Sequence, residues 1–327
     1  MDLIYMNDLK EDVGVLKDYT FDLALGKDEN DFECKVVLSD DNCKGGWFLY
    51  IEGTEYGGII DKIKVDTNAK EITYKGKTWQ GILNSKVIEP DAGEDYLIVS
   101  GDANVVLGTL IARMGLSALF KASNSASGLN VSSYKMNRYI KGYDGIRKML
   151  KTAGAKLNIV FENGFVELSA KPIIDYSKDE QFDTDQIDFV IEKNYRPINH
   201  VICLGKGELS EREVIHVYAD QSGNIGTTQS LFGMDEVMAV YDFSNAESAE
   251  ELLEGGIEII QESFQSSSVD FNFDSNEETY DIGDIVGAKE NKTGVEASAE
   301  ITKKIVTIKR NKTTISYEVG EQLCQCI

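Results

Sequence analysis

Short stretches of alternating apolar and polar residues, separated by turn-forming residues, dominate both ends of this chain of 327 residues. Within residues 47–83, three such stretches cover Trp47–Ile51, Ile59–Val65 and Glu71–Trp79. Alternation places every second side chain on one face of a strand, and the intervening Gly, Asp and Asn residues suit tight turns. We therefore predict strands here that form a small β-barrel or a sandwich, and we assign residues 1–92 to a first β-barrel domain.

Residues 93–174 change to the period of a helix. Apolar residues three and four positions apart predict helices over about 103–114 and 144–153. The residues expected to cap, precede or stop these helices are Asp102, Gly115, Asp144 and Gly154. A hairpin should follow over about 156–170, because Asn163-Gly164 between two apolar runs is a strong hairpin signal. We predict an α/β domain for this region.

Strand character returns in residues 175–235 and 266–320, which we predict to form a second β-barrel domain. Residues 236–265 between them are predicted to be a helical insertion, and residues 321–327 a flexible tail. The fold class predicted for the whole chain is mainly β with α+β insertions. It combines two small β-barrel domains with helix-containing α/β units.

Three pairs of residues carry further structural expectations. Trp47 and Trp79 are expected to anchor the core of the first barrel. Ser244, with Glu247 three residues later, is a candidate capping box for the helix of the insertion. The Gly255-Gly256 pair in that helix costs about 1 kcal/mol per Gly relative to Ala. This cost indicates a kink or a close backbone approach.

The net charge limits the partners of the protein. Lys and Arg number 33 against 56 Asp and Glu, which gives a formal net charge of −23. Phosphate backbones and anionic membrane surfaces attract Lys and Arg, so we exclude non-specific binding to nucleic acid and to such membranes. No apolar run reaches the roughly 18 residues of a membrane span, so we expect no direct membrane insertion. We expect no signal peptide either.

The charges are also segregated along the sequence. Residues 213–288 carry 17 acidic residues and no Lys or Arg, whereas residues 134–156 and 289–312 carry seven basic residues each. Such blocks are typical of solvated faces. They also fit acidic and basic surfaces that meet across subunits, or an acidic face that lines a passage.

The residue types that carry enzymatic chemistry form no complete motif. The two histidines, His200 and His216, do not belong to a zinc-binding motif, and we expect each to have a hydrogen-bonded structural role. No Gly-x-Ser-x-Gly sequence is present. The five scattered cysteines fit reduced thiols of a cytoplasmic product. Of these, Cys324 and Cys326 are expected to lie in a functionless tail.

Two partial motifs have simpler structural explanations. Leu204–Glu208 lacks the spacing of a phosphate-binding loop and is predicted to be a turn between strands. Asp270-x-Asn272-x-Asp274 lacks the later residues of a calcium loop and is predicted to be strand. An Asp/Glu pair for glycoside hydrolysis stays open, because 56 acidic residues single out no pair. We predict no catalytic, cofactor-binding or metal-binding residues.

Several stretches occur in the same order as the parts of one known family. They are Gly53–Asp61 with Ile72–Leu83, Gly142–Ile146 with Gly154–Leu157, Asn199–Leu209 and Tyr280–Ala288. In this order they resemble the first barrel, the helix and hairpin that follow, the opening of the second barrel and its closing strand in XkdQ-type baseplate hub proteins. These proteins belong to phage tails and to phage-tail-like bacteriocins of Gram-positive bacteria.

The resemblance implies a fold like that of the central hub of T-even and Mu phage baseplates. In such hubs, two barrel domains per subunit form a trimer with pseudo-sixfold symmetry, which joins a hexameric tail tube to a trimeric spike. The implied partners are further copies of this chain as a homotrimer, the tail tube protein, the spike protein and the surrounding baseplate wedge proteins. No cofactor and no active site are implied. The implied location is the baseplate of a virion or tail-like particle, after synthesis in the bacterial cytoplasm.

Two other functions stay open at the level of sequence. The chain could be a tail-associated cell-wall hydrolase that uses an Asp/Glu pair, which zymography on peptidoglycan would reveal. It could also be a receptor-binding tail-tip protein. Sugar binding of that kind expects exposed aromatic residues, whereas the aromatic residues of this chain fall mostly at alternating, core-like positions.

Overall fold

The computed structural model describes residues 1–40, 43–178, 181–183, 190–192, 194–246, 248–264, 268–270, 272–275, 280–309 and 312–322. The strands in these ranges are β1 (Leu3–Met6), β2 (Asp12–Leu16), β3 (Tyr19–Gly26), β4 (Asp31–Val37), β5 (Phe48–Tyr50), β6 (Gly57–Asp66), β7 (Glu71–Thr78), β8 (Val87–Ile88), β9 (Ile98–Asp102), β10 (Phe120–Ala122), β11 (Asn130–Lys135), β12 (Ile140–Lys141), β13 (Ala155–Glu162), β14 (Phe165–Pro172), β15 (Gln181–Asp183), β16 (Val190–Glu192), β17 (His200–Leu204), β18 (Val214–Ala219), β19 (Ile225–Gly226), β20 (Met238–Asp242), β21 (Ser268–Asp270), β22 (Asn272–Ser275), β23 (Ile285–Lys289), β24 (Glu296–Lys309) and β25 (Lys312–Gln322). The α-helices are α1 (Trp79–Asn84), α2 (Ala103–Arg113), α3 (Gly142–Thr152) and α4 (Ala249–Phe264). Short 3-10 helices cover Leu38–Asp40, Tyr176–Lys178, Leu209–Glu211 and Gly233–Asp235.

The chain divides into two compact units. Unit 1 comprises the described residues within 1–176, 272–285 and 301–318, and unit 2 those within 177–271, 286–300 and 319–327. This division differs from the predicted domains, which place residues 301–318 in the second barrel. These residues belong to unit 1 because Lys303–Lys309 of β24 pairs antiparallel with Thr20–Gly26 of β3.

Unit 1 contains a long sheet with the strand order β22-β25-β24-β3-β4-β7-β6-β5-β1-β2. Its strands β5, β6 and β7 form the antiparallel meander predicted from the alternating stretches. Along β3, every second side chain is buried, which is the pattern of a strand that covers a core on one face. The mainly β fold is confirmed. No strand pairing among the described residues closes a sheet into a barrel, so the two barrels stay a prediction.

The segments predicted as a barrel domain and an α/β domain share one hydrophobic core in unit 1. This core includes the buried faces of α2, α3 and the β13–β14 hairpin. Trp79 is fully buried and stacks on Phe161 of β13 with ring centroids 5.3 Å apart, while Tyr50 approaches the same Phe161 ring at 4.1 Å. Trp79 is therefore the core anchor that was predicted. Trp47 is not, because it is only half-buried and stacks on Tyr5 near the surface.

The ends of the helices in unit 1 follow the sequence signals closely. The Asp102 side chain accepts a hydrogen bond from the Asn104 amide at 2.9 Å and so caps α2, as predicted. Gly115, with a φ of +70°, follows the end of this helix. The prediction for Asp144 was wrong by one turn: α3 begins at Gly142, so Asp144 lies in its first turn, where the helix dipole favours an acidic residue.

The predicted hairpin is present as β13 and β14, which pair antiparallel from Ala155↔Pro172 to Glu162↔Phe165. The turn residues Asn163 and Gly164 both have a positive φ, at 54° and 77°. This is the backbone conformation that a two-residue type I′ turn requires, and it explains why Asn-Gly is favoured there.

Unit 2 contains a four-stranded sheet with the order β19-β18-β17-β20, and α4 packs against one face of it. Strand β20 lies within the predicted helical insertion and pairs parallel to β17, so the helix begins only at Ala249. A Cβ on Gly256 would lie 2.3 Å from Cys203 Sγ and 3.0 Å from Val217 Cγ2. Of the two predicted explanations for the glycine pair, the close approach is confirmed.

The N-terminus of α4 differs from the predicted capping box. Ser248 Oγ accepts a hydrogen bond from the Glu251 amide at 3.2 Å, so Ser248 caps the helix instead of Ser244. Glu247, Cys324 and Cys326 lie outside the described residues. Among the helices of the described ranges, none has the length and hydropathy of a membrane span.

We predict that Gly256→Ala lowers the stability of the protein although Ala is the better helix former. The added Cβ overlaps the buried Cys203 and Val217, and overpacking of this kind costs about 1–3 kcal/mol. The measurement is thermal or urea unfolding followed by circular dichroism.

Gly108→Ala in α2 is the matched control, because its Cβ would meet only Ala122 Cβ, at an ordinary 3.6 Å. This control should raise stability by up to about 1 kcal/mol. The loss caused by Gly256→Ala should shrink in a Cys203→Ala background, where the closest atom has been removed. Equal effects of the two glycine substitutions would contradict the close packing of α4.

Candidate functional site

The first candidate site is a buried ionic cluster around Lys156 in unit 1. The side chain of Lys156, at the start of β13, is 4% exposed and donates hydrogen bonds to Asp281 at 2.7 Å and to Asp284 at 2.7 and 2.8 Å. Asp284 is 1% exposed and also accepts from the amides of Ile174 and Asp281, each at 2.9 Å. The cluster therefore joins the hairpin to residues 280–285, which lie far along the sequence.

The cluster changes the pKa of Asp281. Partial burial alone would raise the pKa of this carboxyl. The hydrogen bond and the positive charge of Lys156 outweigh that effect and lower the pKa below its usual value of 3.8. Asp281 is therefore stabilised in its charged form in the folded protein.

A second buried lysine lies in residues 301–318, the last segment of unit 1. Lys304 of β24 has no exposed side-chain surface and forms an ion pair with Glu55 at 2.6 Å. The other carboxylate oxygen of Glu55 accepts a hydrogen bond from Gln80 Nε2 at 2.8 Å. Lys156 and Lys304 thus each neutralise carboxylates inside unit 1. Buried charges need such partners, so we interpret both clusters as structural.

The histidines, each predicted to have its own structural role, lie next to each other in unit 2. His200 is 4% exposed; its Nδ1 lies 2.6 Å from Glu236 Oε1, and its Nε2 lies 2.8 Å from His216 Nδ1. The buried Asn199 positions the backbone on both sides of Glu236, since it bonds the Asp235 carbonyl and the Val237 amide. Both histidines are hydrogen-bonded as predicted. Their direct contact was not predicted, because it depends on the register of β17 and β18.

The partial motifs take the structural forms that were predicted. The Leu204–Glu208 stretch leaves the end of β17 and turns, with Gly207 at a φ of +100° and the Gly205 amide bonded to the Glu213 carbonyl at 2.9 Å. Asp270 ends β21, and Asn272 begins β22. Within the described ranges, no group of three or more His, Cys, Asp or Glu forms a candidate metal site.

Four glutamates of the acidic block lie on the exposed face of α4. Glutamates occur there every fourth residue and are exposed; they are Glu250, Glu254, Glu258 and Glu262. Like charges four apart on a helix cost about 0.2–0.5 kcal/mol per pair. We call this set of four residues the acidic stripe. Because all four residues are exposed, this part of the acidic block is a solvated face of the chain.

The comparisons with known proteins give matches only among solved structures. No protein-family model matches the chain, and no curated protein matches it. The tail protein from Neisseria meningitidis MC58 aligns with a TM-score of 0.51 over 98% of this chain and 96% of its own, at 10% identity. The prophage tail protein gp18 from Listeria monocytogenes EGD-e aligns with a TM-score of 0.54 over 97% and 94%, at 13% identity.

A third solved structure is similar to the same extent. The 43 kDa tail protein of prophage MuSo2 from Shewanella oneidensis aligns with a TM-score of 0.56 over 98% of both chains, at 10% identity. At these identities the likeness concerns the fold alone. The chain has the fold of phage tail proteins, and the resemblance seen in its sequence is confirmed at that level.

We predict that Lys156→Met destabilises the protein by about 3–5 kcal/mol, because it leaves the buried Asp284 without its counter-charge. Lys35→Met is the control: it removes a lysine whose side chain is 42% exposed, 3.0 Å from Glu33. This change should cost no more than about 1 kcal/mol. Urea unfolding of both variants measures the difference.

The cost of Lys156→Met should also depend on pH. The folded state lowers the pKa of Asp281, so the stabilisation from its charged form is present above the unfolded-state pKa and is lost as the pH falls through the folded-state value. The cost should therefore be larger at neutral pH than at ~pH 3. Equal losses for Lys156→Met and Lys35→Met would show that the cluster is not a buried ionic contact.

Proposed function

We propose that this chain is a structural subunit of a phage-type tail and acts there as the baseplate hub. The observation that carries the proposal is the shared fold: three tail proteins align over 97–98% of this chain and over 94–98% of their own lengths. The order of hub-like stretches in the sequence supports the same function. The proposed location is the baseplate of a virion or of a headless tail-like particle.

In this proposal, three copies form a ring that joins the tail tube to the spike, with wedge proteins around it. Segregated charge supports self-assembly, because complementary surfaces guide association. The acidic stripe supplies one such surface. Exposed basic residues on β11, on β12, on the loop between these strands and on α3 supply the other; they are Lys135, Arg138, Lys141, Lys148 and Lys151.

The net charge fits a passage through the ring. Three copies carry a formal charge of −69, which is three times −23. Acidic walls do not bind phosphate backbones, so DNA would leave the tail without being held. We propose that part of the acidic block lines this passage.

We propose no catalytic role, and zymography on host peptidoglycan should show no clearing. Clearing by the purified chain would instead favour a cell-wall hydrolase. This assay separates the structural hub from the enzymatic alternative without depending on the oligomeric state.

The oligomeric state tests the hub directly. The chain has a mass of 36.3 kDa, so light scattering should give about 109 kDa for a trimer of this chain alone. A complex with equal numbers of spike chains should have this mass plus that of three spike chains. A monomer both alone and with the spike protein would contradict the proposal.

A charge-reversal variant tests the proposed subunit surfaces separately. Glu254→Lys with Glu258→Lys should weaken the trimer, because it removes acidic charge from the stripe. Asp8→Lys with Glu94→Lys makes the same change in charge at exposed positions of unit 1 and is the control. Equal behaviour of the two double variants would show that the stripe is not a subunit contact.

A further inference from the structure

The hydrogen bonds of the histidine pair determine where its protons lie. An ionised carboxylate only accepts hydrogen bonds, so His200 Nδ1 donates to Glu236 Oε1 across 2.6 Å. Gln229 Nε2 donates to the same oxygen at 2.8 Å, which further identifies it as an acceptor. Neutral His200 then has an unprotonated Nε2. His216 Nδ1 must donate to that nitrogen across their 2.8 Å contact.

This arrangement also determines the protonation state of His216 Nε2, the ring nitrogen that does not contact His200. A neutral imidazole carries one hydrogen, and in His216 that hydrogen is on Nδ1. Its Nε2 is therefore a hydrogen-bond acceptor, and no group in the described part of the chain is bonded to it. The His216 residue is exposed, whereas His200 behind it is buried.

A single added proton turns His216 Nε2 from an acceptor into a donor, whichever of the two rings takes the charge. If His200 takes the charge, its Nε2 donates to His216 Nδ1, and neutral His216 must carry its hydrogen on Nε2. If His216 takes the charge, both of its nitrogens carry hydrogen. A second proton would place two N–H groups against each other across 2.8 Å, so the contact accommodates only one. The two rings therefore hold one added proton between them across this contact.

We propose that His200 and His216 form a proton-operated switch, in which uptake of one proton turns the exposed His216 Nε2 from a hydrogen-bond acceptor into a donor. Glu236 behind His200 stabilises the added positive charge. The chemical input is a proton. The output is the hydrogen-bonding polarity of one surface position on the sheet of unit 2.

The surroundings make this position distinctive. His216 lies directly across from Ile202, on the sheet face opposite α4. Two exposed apolar residues lie on this face: Val214, two residues before His216, is 47% exposed, and Val240, on the far side of Ile202, is 61% exposed. The change of polarity at Nε2 therefore occurs on a sheet face that also carries exposed apolar side chains.

Few other titratable groups face the pair. Besides Glu236 on the loop before β20, Tyr218 of β18 lies beside it, with its ring 4.3 Å from that of His200. On β20, the positions across from His200 and Ile202 are the uncharged Met238 and Val240. Arg212 is paired with Asp242, which is across from Leu204 at the other end of the strands.

Nitrogen NMR on the full chain, labelled with ¹⁵N in its histidine rings, tests the switch. The chain has only two histidines, so four ring nitrogens are observed. At high pH, we expect both rings as the Nδ1–H tautomer, with His216 Nε2 in the unprotonated range of chemical shift. As the pH falls, Nε2 should shift to the protonated range in one step that the His200 resonances share.

Two variants serve as a matched pair. Glu236→Gln removes the carboxylate that orients His200, so the preference of His216 for the Nδ1–H tautomer should be lost or reduced. Asp235→Asn removes the same charge one residue away, and only the backbone carbonyl of Asp235 bonds within this site; its spectra should match those of the unmodified chain. The unmodified chain decides the proposal even if a variant fails to fold. A protonated His216 Nε2 at high pH, or two independent titrations, would overturn it.

Discussion

The buried contact between Lys156 and Asp284 holds together two parts of unit 1 that are far apart in the sequence. The two residues are 128 positions apart in sequence and are both almost fully buried. Loss of one partner would leave an uncompensated charge in a low-dielectric interior, which is far more costly than loss of a surface pair. Asp284 also bonds the Ile174 amide. One carboxylate thus connects the hairpin, the segment that follows it and residues 280–285, which come much later in the chain.

The long sheet of unit 1 also joins early and late parts of the chain. The central strand β3 receives β24 as a neighbour, and Thr307 bonds Asp22 across 285 positions of sequence. Lys304 adds its buried ion pair with Glu55. Contacts between such distant positions slow folding and make each part of unit 1 depend on the others. A subunit that only positions other proteins, as proposed here, requires this kind of defined shape and no reactive group.

Local signals predicted the local structure well. Asn163-Gly164 specified its hairpin, Asp102 its helix cap and Gly256 the close packing of α4, because each depends on neighbouring residues or on the absence of a side chain. The contact between His200 and His216 depends on strand register, and the position of residues 301–318 depends on which strand β24 joins. Neither is encoded in a short stretch. The acidic stripe was visible in the sequence as charge, but its confinement to one helix face needed the structure.

The most direct test of the proposed hub is a cryo-electron microscopy reconstruction of the tail particle that contains this chain. The account predicts three copies in one ring, between the end of the tail tube and the spike, with unit 1 and unit 2 each recognisable in the density. Copies located in the surrounding wedges or at the distal tip, or present in a number other than three, would contradict it.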